Sequence, residues 1–72
     1  MRLRELRKKK NLSQQGLAIE LKKIVNLNIS REALSNYECG ARNPSLDTLN
    51  KLSQYFNVSI DYLINGEEFK KR

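Results

Sequence analysis

Residues 29–45 read ISREALSNYECGARNPS, and the fold turns on whether this stretch holds two helix starts joined by a basic loop. Ser30 follows the apolar Ile29 and stands four places before Leu34. A serine so placed caps a helix: its side-chain oxygen takes a first-turn N–H while the apolar residue before it packs on the one inside. Pro44-Ser45 opens a further helix, the proline stiffening the approach. Between these starts the spacing predicts a helix with Ala33, Leu34 and Tyr37 on one side and Arg31, Glu32, Ser35 and Asn36 on the other.

The same start recurs along the chain. Leu12-Ser13 precedes Leu17, and Val58-Ser59 precedes Leu63. Helical spacing follows each start. Leu17, Ala18, Leu21, Ile24 and Val25 form the stripe of the second helix. Leu46, Leu49, Leu52 and Phe56 form that of the fourth, and Ile60, Leu63 and Ile64 that of the fifth. A first helix runs from Arg2 to Lys10 with Leu3 and Leu6 inward. Gly66 is the expected stop of the fifth helix, and the polar tail 67–72 is expected to fray. Gly16, in the first turn of the second helix, costs up to about 1 kcal/mol against alanine, and nothing in the sequence explains it. No stretch alternates long enough for a strand, so the expected fold class is all-α, with a single domain over residues 1–66.

At 72 residues the chain buries only about 60% of its unfolded surface, so caps and local helix signals must supplement a thin core. Hydrophobic residues at 39% and charged residues at 31% mark a globular composition rather than a disordered one. No apolar run approaches the roughly 18 residues of a membrane span, and no secretory signal follows Met1. Met1 and the completed fifth helix lead to the expectation of an intact small protein rather than a detached half of a larger regulator. The one cysteine, Cys39, excludes an internal disulfide framework and suits a reducing, cytoplasmic setting. The chain has no histidine. With no Cys/His pair, no zinc cluster and no base near neutrality, neither an enzyme nor a metal or other cofactor is expected. Fourteen Lys and Arg against eight Asp and Glu leave a net charge of +6. That excess favours a polyanion through field and counterion release, with a merely solubilising basic surface as the alternative.

Two successive capped helices, the second short and polar outside, suggest a helix-turn-helix, in which the second helix enters the major groove of DNA. The residue types suit base edges. Arginine bonds guanine bidentately, asparagine does the same to adenine, glutamate accepts from cytosine and serine serves several partners. The N-terminus of the helix also favours phosphate. Taken alone, the helix is better described as a solvated amphipathic face, as most such helices are.

Company decides between these readings. LRELRKKKNLSQ at residues 3–14, the LA..L pattern of the second helix, ISR..LSNYE.G.RNPS at residues 29–45 and LDTL.KLSQYFNVSIDYLING at residues 46–66 together resemble the lambda-repressor-like, Cro-type helix-turn-helix family, often called XRE. The likeness covers residues 2–66. It implies a five-helix domain that binds operator DNA, commonly as a two-fold dimer. Carried onto this chain, it implies that Arg31, Glu32, Ser35 and Asn36 face bases, with Arg31 and Glu32 deepest. Gln14, Gly40, Arg42 and Asn43 would meet phosphates, and Ser30 would chiefly cap while touching a phosphate too. Arg7, four places after Leu3, and Glu38, four after Leu34, sit on core-facing stripes. The family likeness implies that they pair in a partly buried ion bridge between the first and third helices.

The chain departs from the pattern at Lys22–Asn28, KKIVNLN, about six residues more than the short turn of a helix-turn-helix. The continued stripe of Ile24 and Val25 predicts a second helix lengthened by one to two turns, with Asn26-Leu27-Asn28 making the reversal. Lys22, Lys23 or Asn26 could then reach a backbone phosphate, the alternative being a lysine-tipped extension into solvent. Cys39 stands where the family often has a small polar or basic residue. The function expected is a sequence-specific regulator of transcription bound to double-stranded DNA, most simply a homodimeric repressor on a palindromic operator. Ile60, Tyr62, Ile64 and Phe69 are the candidate dimer surface. The alternative of another class is an antitoxin or adaptor that uses the fold to bind a protein.

Overall fold

The computed structural model describes residues 1–65; Gly66, Phe69 and the rest of the 67–72 tail lie outside the described residues. Five α-helices follow one another: α1 (Leu3–Lys9), α2 (Gln14–Val25), α3 (Arg31–Cys39), α4 (Leu46–Phe56) and α5 (Ile60–Asn65). No strand occurs among the described residues. The all-α expectation therefore holds, and so does the lengthened second helix.

Helix boundaries are written locally. Ser13, Ser30, Ser45 and Ser59 each accept a first-turn N–H, from Gly16, Ala33, Thr48 and Tyr62 at 2.9–3.2 Å. Each such cap contributes about 1 kcal/mol. The helix ends use the left-handed region, with Asn11, Asn26 and Asn57 at φ of 56–58° and Gly40 at 83°. Asparagine tolerates this conformation better than other side-chain-bearing residues. Beyond three of these ends an N–H turns back onto a carbonyl of the last turn: Leu12 onto Arg7, Ala41 onto Asn36 and Val58 onto Ser53. This is the wrapped C-terminus typical of helices closed by a left-handed residue. Asn11-Leu12-Ser13, following Lys10, and Asn57-Val58-Ser59 thus share one pattern: a left-handed stop, an apolar residue packed on the core, and a cap. α1 alone lacks a side-chain cap at its start; instead the N–H of Arg2 donates to the Leu63 carbonyl of α5 at 2.8 Å.

α2 packs on α3 and α4, α4 on α5, and α1 on α3. The core is Leu3, Leu6, Leu17, Leu21, Leu27, Leu34, Leu49, Leu52, Phe56 and Leu63. Three expected core positions are corrected. Ile24 is 60% exposed, Leu46 67% and Ile64 44%. The first and third lie in the last turns of α2 and α5 and the second at the first residue of α4, where helical spacing persists but no neighbouring element covers the side chain. Leu27 takes the place expected of Ile24. The N–H groups of Asn26 and Leu27 both converge on the Leu21 carbonyl, and this wide reversal turns Leu27 into the core at 8% exposure. The Lys51 Nζ of α4 donates to the Val25 carbonyl at 3.3 Å, satisfying one of the acceptors that every helix end leaves open.

Gly16 has no structural explanation: a Cβ there would stand 3.2 Å from the Ser13 Oγ, but Ala33, Thr48 and Tyr62 carry side chains at the same place in the other three serine caps.

A candidate nucleic-acid interface

α3 offers its outer face as its cap and stripe require. Leu34 is wholly buried and Ala33 and Tyr37 are half-buried, which turns Arg31, Glu32 and Ser35 into solvent. Asn36 is half-buried. Its carbonyl sits in the last turn, where it receives the Ala41 N–H at 2.9 Å, the Arg42 N–H at 3.3 Å and the Cys39 thiol at 3.7 Å. These bonds fold the chain sharply after α3 and leave Gly40, Arg42 and Asn43 exposed on a loop directly beside the helix. The expected base-facing and loop residues therefore lie close together, with Asn36 the least open of them.

The orientation of α3 is fixed from behind. Glu38 Oε2 accepts from Arg7 Nε at 2.7 Å, and its Oε1 from Arg7 Nη2 at 3.2 Å, a bidentate fork from α1. The Glu38 side chain has no exposed surface and that of Arg7 only 12%; the residue's remaining exposure is backbone. Arg4 Nε reaches Oε1 at 3.5 Å, and Arg7 Nη1 donates to the Leu12 carbonyl at 2.8 Å. Burial alone pushes the Glu38 acid upward, but the hydrogen bonds from Arg7 and Gln14, the Arg7 charge and the Arg4 contact together hold it below the usual carboxylate range. The ion pair drawn from the sequence is present.

Gln14 opens α2 and makes a contact that sequence reasoning did not foresee. Its Nε2 donates to Glu38 Oε1 at 3.1 Å, so the residue expected at a phosphate is also the third strut of the Arg7–Glu38 cluster. An amide nitrogen carries two hydrogens, and one is left to give. Ser30 acts as the cap. Lys22, Lys23 and Asn26 are all exposed, Asn26 in the left-handed conformation that ends α2.

A second brace holds α2 to α4. The Tyr55 hydroxyl donates to Glu20 Oε1 at 3.0 Å, and Lys10 Nζ lies 5.2 Å from the Tyr55 ring centroid. Burial first, and then Glu20, push the Tyr55 hydroxyl up to about 12, so it remains a donor throughout the physiological range. Among the described residues no cluster of metal-ligating side chains occurs, and no helix is long and apolar enough to cross a membrane.

Comparison with known proteins agrees with this geometry. The profile of the helix-turn-helix family matches residues 3–63. The HTH-type transcriptional regulator ImmR of Bacillus subtilis (strain 168) is 44% identical over 71 residues, covering 99% of this chain and 51% of that protein. The HTH-type transcriptional activator BcrR of Enterococcus faecalis is 40% identical over 67 residues, 93% of this chain and 30% of its own length. Another Bacillus subtilis (strain 168) protein, the uncharacterized HTH-type transcriptional regulator YqaE, is 41% identical over 69 residues, 96% of this chain and 54% of that one. The chain thus spans about half the length of these relatives, or less. No solved structure matches it.

Proposed function

Since the chain belongs to the helix-turn-helix family, we propose that it is a sequence-specific regulator of transcription that binds double-stranded DNA with α3 in the major groove. The observation that carries this reading is the open row of Arg31, Glu32 and Ser35 on a helix whose inner end is locked by Arg7 and Glu38. Base recognition needs donors and acceptors held in a fixed register, and a rigid helix presents them without further ordering. Arg31, Glu32, Ser35 and Asn36 read base edges. Gln14, Ser30, Gly40, Arg42 and Asn43 hold phosphates, which fix register without carrying sequence information. Lys22, Lys23 and Asn26 add phosphate contacts from the end of the lengthened α2.

The regulator acts in the cytoplasm as a homodimeric repressor on a palindromic operator, with Ile60, Tyr62 and Ile64 on the dimer surface. Exposure of Ile64 at 44% supports that placement. Two-fold symmetry sets the half-sites about one helical turn, roughly 34–36 Å, apart.

The test is selection from a random duplex pool, then anisotropy titration of the winner against a scrambled duplex at physiological salt. A palindromic winner bound at least about a thousandfold tighter than the control is expected. Replacing Arg31 by alanine then costs about 1–3 kcal/mol and relaxes preference at one base pair. Near-equal, salt-sensitive binding of both duplexes would refute sequence-specific regulation and leave only the non-specific pull of the net charge.

A further inference from the structure

Beside the N-terminus of α3, the outer side of α2 and the α2–α3 connection enclose a groove of about 440 Å³. Ala18, Ile19 and Ile29 supply apolar lining, while Lys22 and Arg31 bring two cations to it. Ile19 is 56% exposed. No carboxylate is among the lining residues, and among the described residues neither Lys22 nor Arg31 takes part in an ion pair. The walls are held in place: Leu27 anchors the connection in the core, and Lys51 of α4 ties down the Val25 carbonyl at the end of α2. A groove fixed in this way needs little ordering on binding.

An apolar floor between two cations is poorly matched to a sugar-phosphate backbone, whose apolar surface is limited to the C–H faces of the sugar. It matches a chain that alternates carboxylates with apolar side chains. We propose that this groove docks an acidic, amphipathic peptide segment of a protein partner, its apolar anchor on Ile19 and its carboxylates on Lys22 and Arg31. Charge complementarity commits the occupant, and electrostatic steering speeds its encounter with a basic domain. Resting on the base-reading role proposed for Arg31, the inference has a regulatory consequence. The segment and the operator use the same Arg31 guanidinium and the same Lys22 ammonium, so each excludes the other, and the partner works as a competitive inhibitor of DNA binding.

The experiment titrates the isotope-labelled protein with a short blocked peptide of glutamates with leucines at helical spacing. Its analogue with glutamine for every glutamate is the control. Expected are amide shifts confined to Gln15, Ala18, Ile19, Lys22 and residues 28–31. Binding should weaken about tenfold or more on Lys22→Glu, on Ile19→Gln and with the glutamine analogue, as like-charge or unpaired contacts at a recognition surface require. The peptide also displaces a labelled duplex competitively. Shifts elsewhere, no shifts, or equal binding of the glutamine analogue overturn the proposal. So does an Ile19→Gln variant that loses duplex affinity as much as peptide affinity, which would give the groove to DNA. Duplex selection without peptide tests the regulator reading on its own, so the two can fail separately.

Discussion

Replacing Glu38 by glutamine removes one charge and little volume, and the cluster around it sets the cost. The carboxylate receives the Arg7 fork at 2.7 and 3.2 Å, Gln14 at 3.1 Å and Arg4 at 3.5 Å. An amide offers a single oxygen, and its NH2 group would face a donor. The Arg7 guanidinium, 12% exposed, is left without a counter-charge. Breaking a buried ion pair from one side costs about 3–5 kcal/mol. Arg7 keeps its bond to the Leu12 carbonyl at 2.8 Å and some access to water, which places the expected loss near the lower end, about 3 kcal/mol. A domain of this length has a total stability of about 4–11 kcal/mol, so the variant loses a quarter or more of it. In a thermal melt followed by circular dichroism, Tm should fall by about 12–24 °C. The double variant Arg7→Met/Glu38→Leu should regain part of that loss, because an apolar pair of similar volume leaves no buried charge. A fall of less than about 4 °C for Glu38→Gln, or a loss in the double variant equal to the sum of those in Arg7→Met and Glu38→Leu, would show that the cluster does not lock α1 to α3.

Acid should act on the same cluster. Because the Glu38 carboxyl is held below its ordinary value, its contribution is complete above the unfolded-state value and is lost as pH falls through the folded one. Urea midpoints should therefore stay level down to about pH 5 and drop below it, with a shallower drop in Glu38→Gln; equal drops in both proteins would exclude Glu38 as the source. Leu27→Ala should cost about 2–3 kcal/mol and speed amide exchange across residues 26–30, whereas a loss under about 1 kcal/mol would mean that the α2–α3 connection does not depend on its core anchor. Arg42→Ala should weaken binding to every duplex and flatten the salt dependence by about one unit of slope; an unchanged slope removes Arg42 from the phosphate contacts.

Which parts of this molecule were readable in the chain follows from the range of the forces involved. Each serine cap is decided within four residues, so the starts of α2 to α5 were legible. Arg7 and Glu38 were legible as a pair because two helical stripes and a family likeness pointed the same way. Ile24 and Leu27 were not. Periodicity places Ile24 on the stripe of Leu17 and Leu21, but it cannot tell where the covering helix ends or that the Leu21 carbonyl would gather the two N–H groups that turn Leu27 inward. Leu46 was misread for the same reason at the other end of a helix. Gln14 shows a further limit: its side chain answers to Glu38, twenty-four positions away, and no local pattern encodes that distance. Neither did the sequence disclose the groove at Ile19, whose lining comes from α2, the α2–α3 connection and the start of α3 together.

The uncapped start of α1 gives the two ends of the described chain a common fate. Four helices carry their own start signal, whereas α1 has the N–H of Arg2, the residue just before it, held by a carbonyl in the last turn of α5. Contacts between near neighbours close quickly and those spanning the chain close late, so α2 to α4 can assemble on local signals while the first turn of α1 waits for α5. In native-state exchange this sequence runs backwards. The first turn of α1 and the end of α5 should open together, at a free energy below that of the central helices.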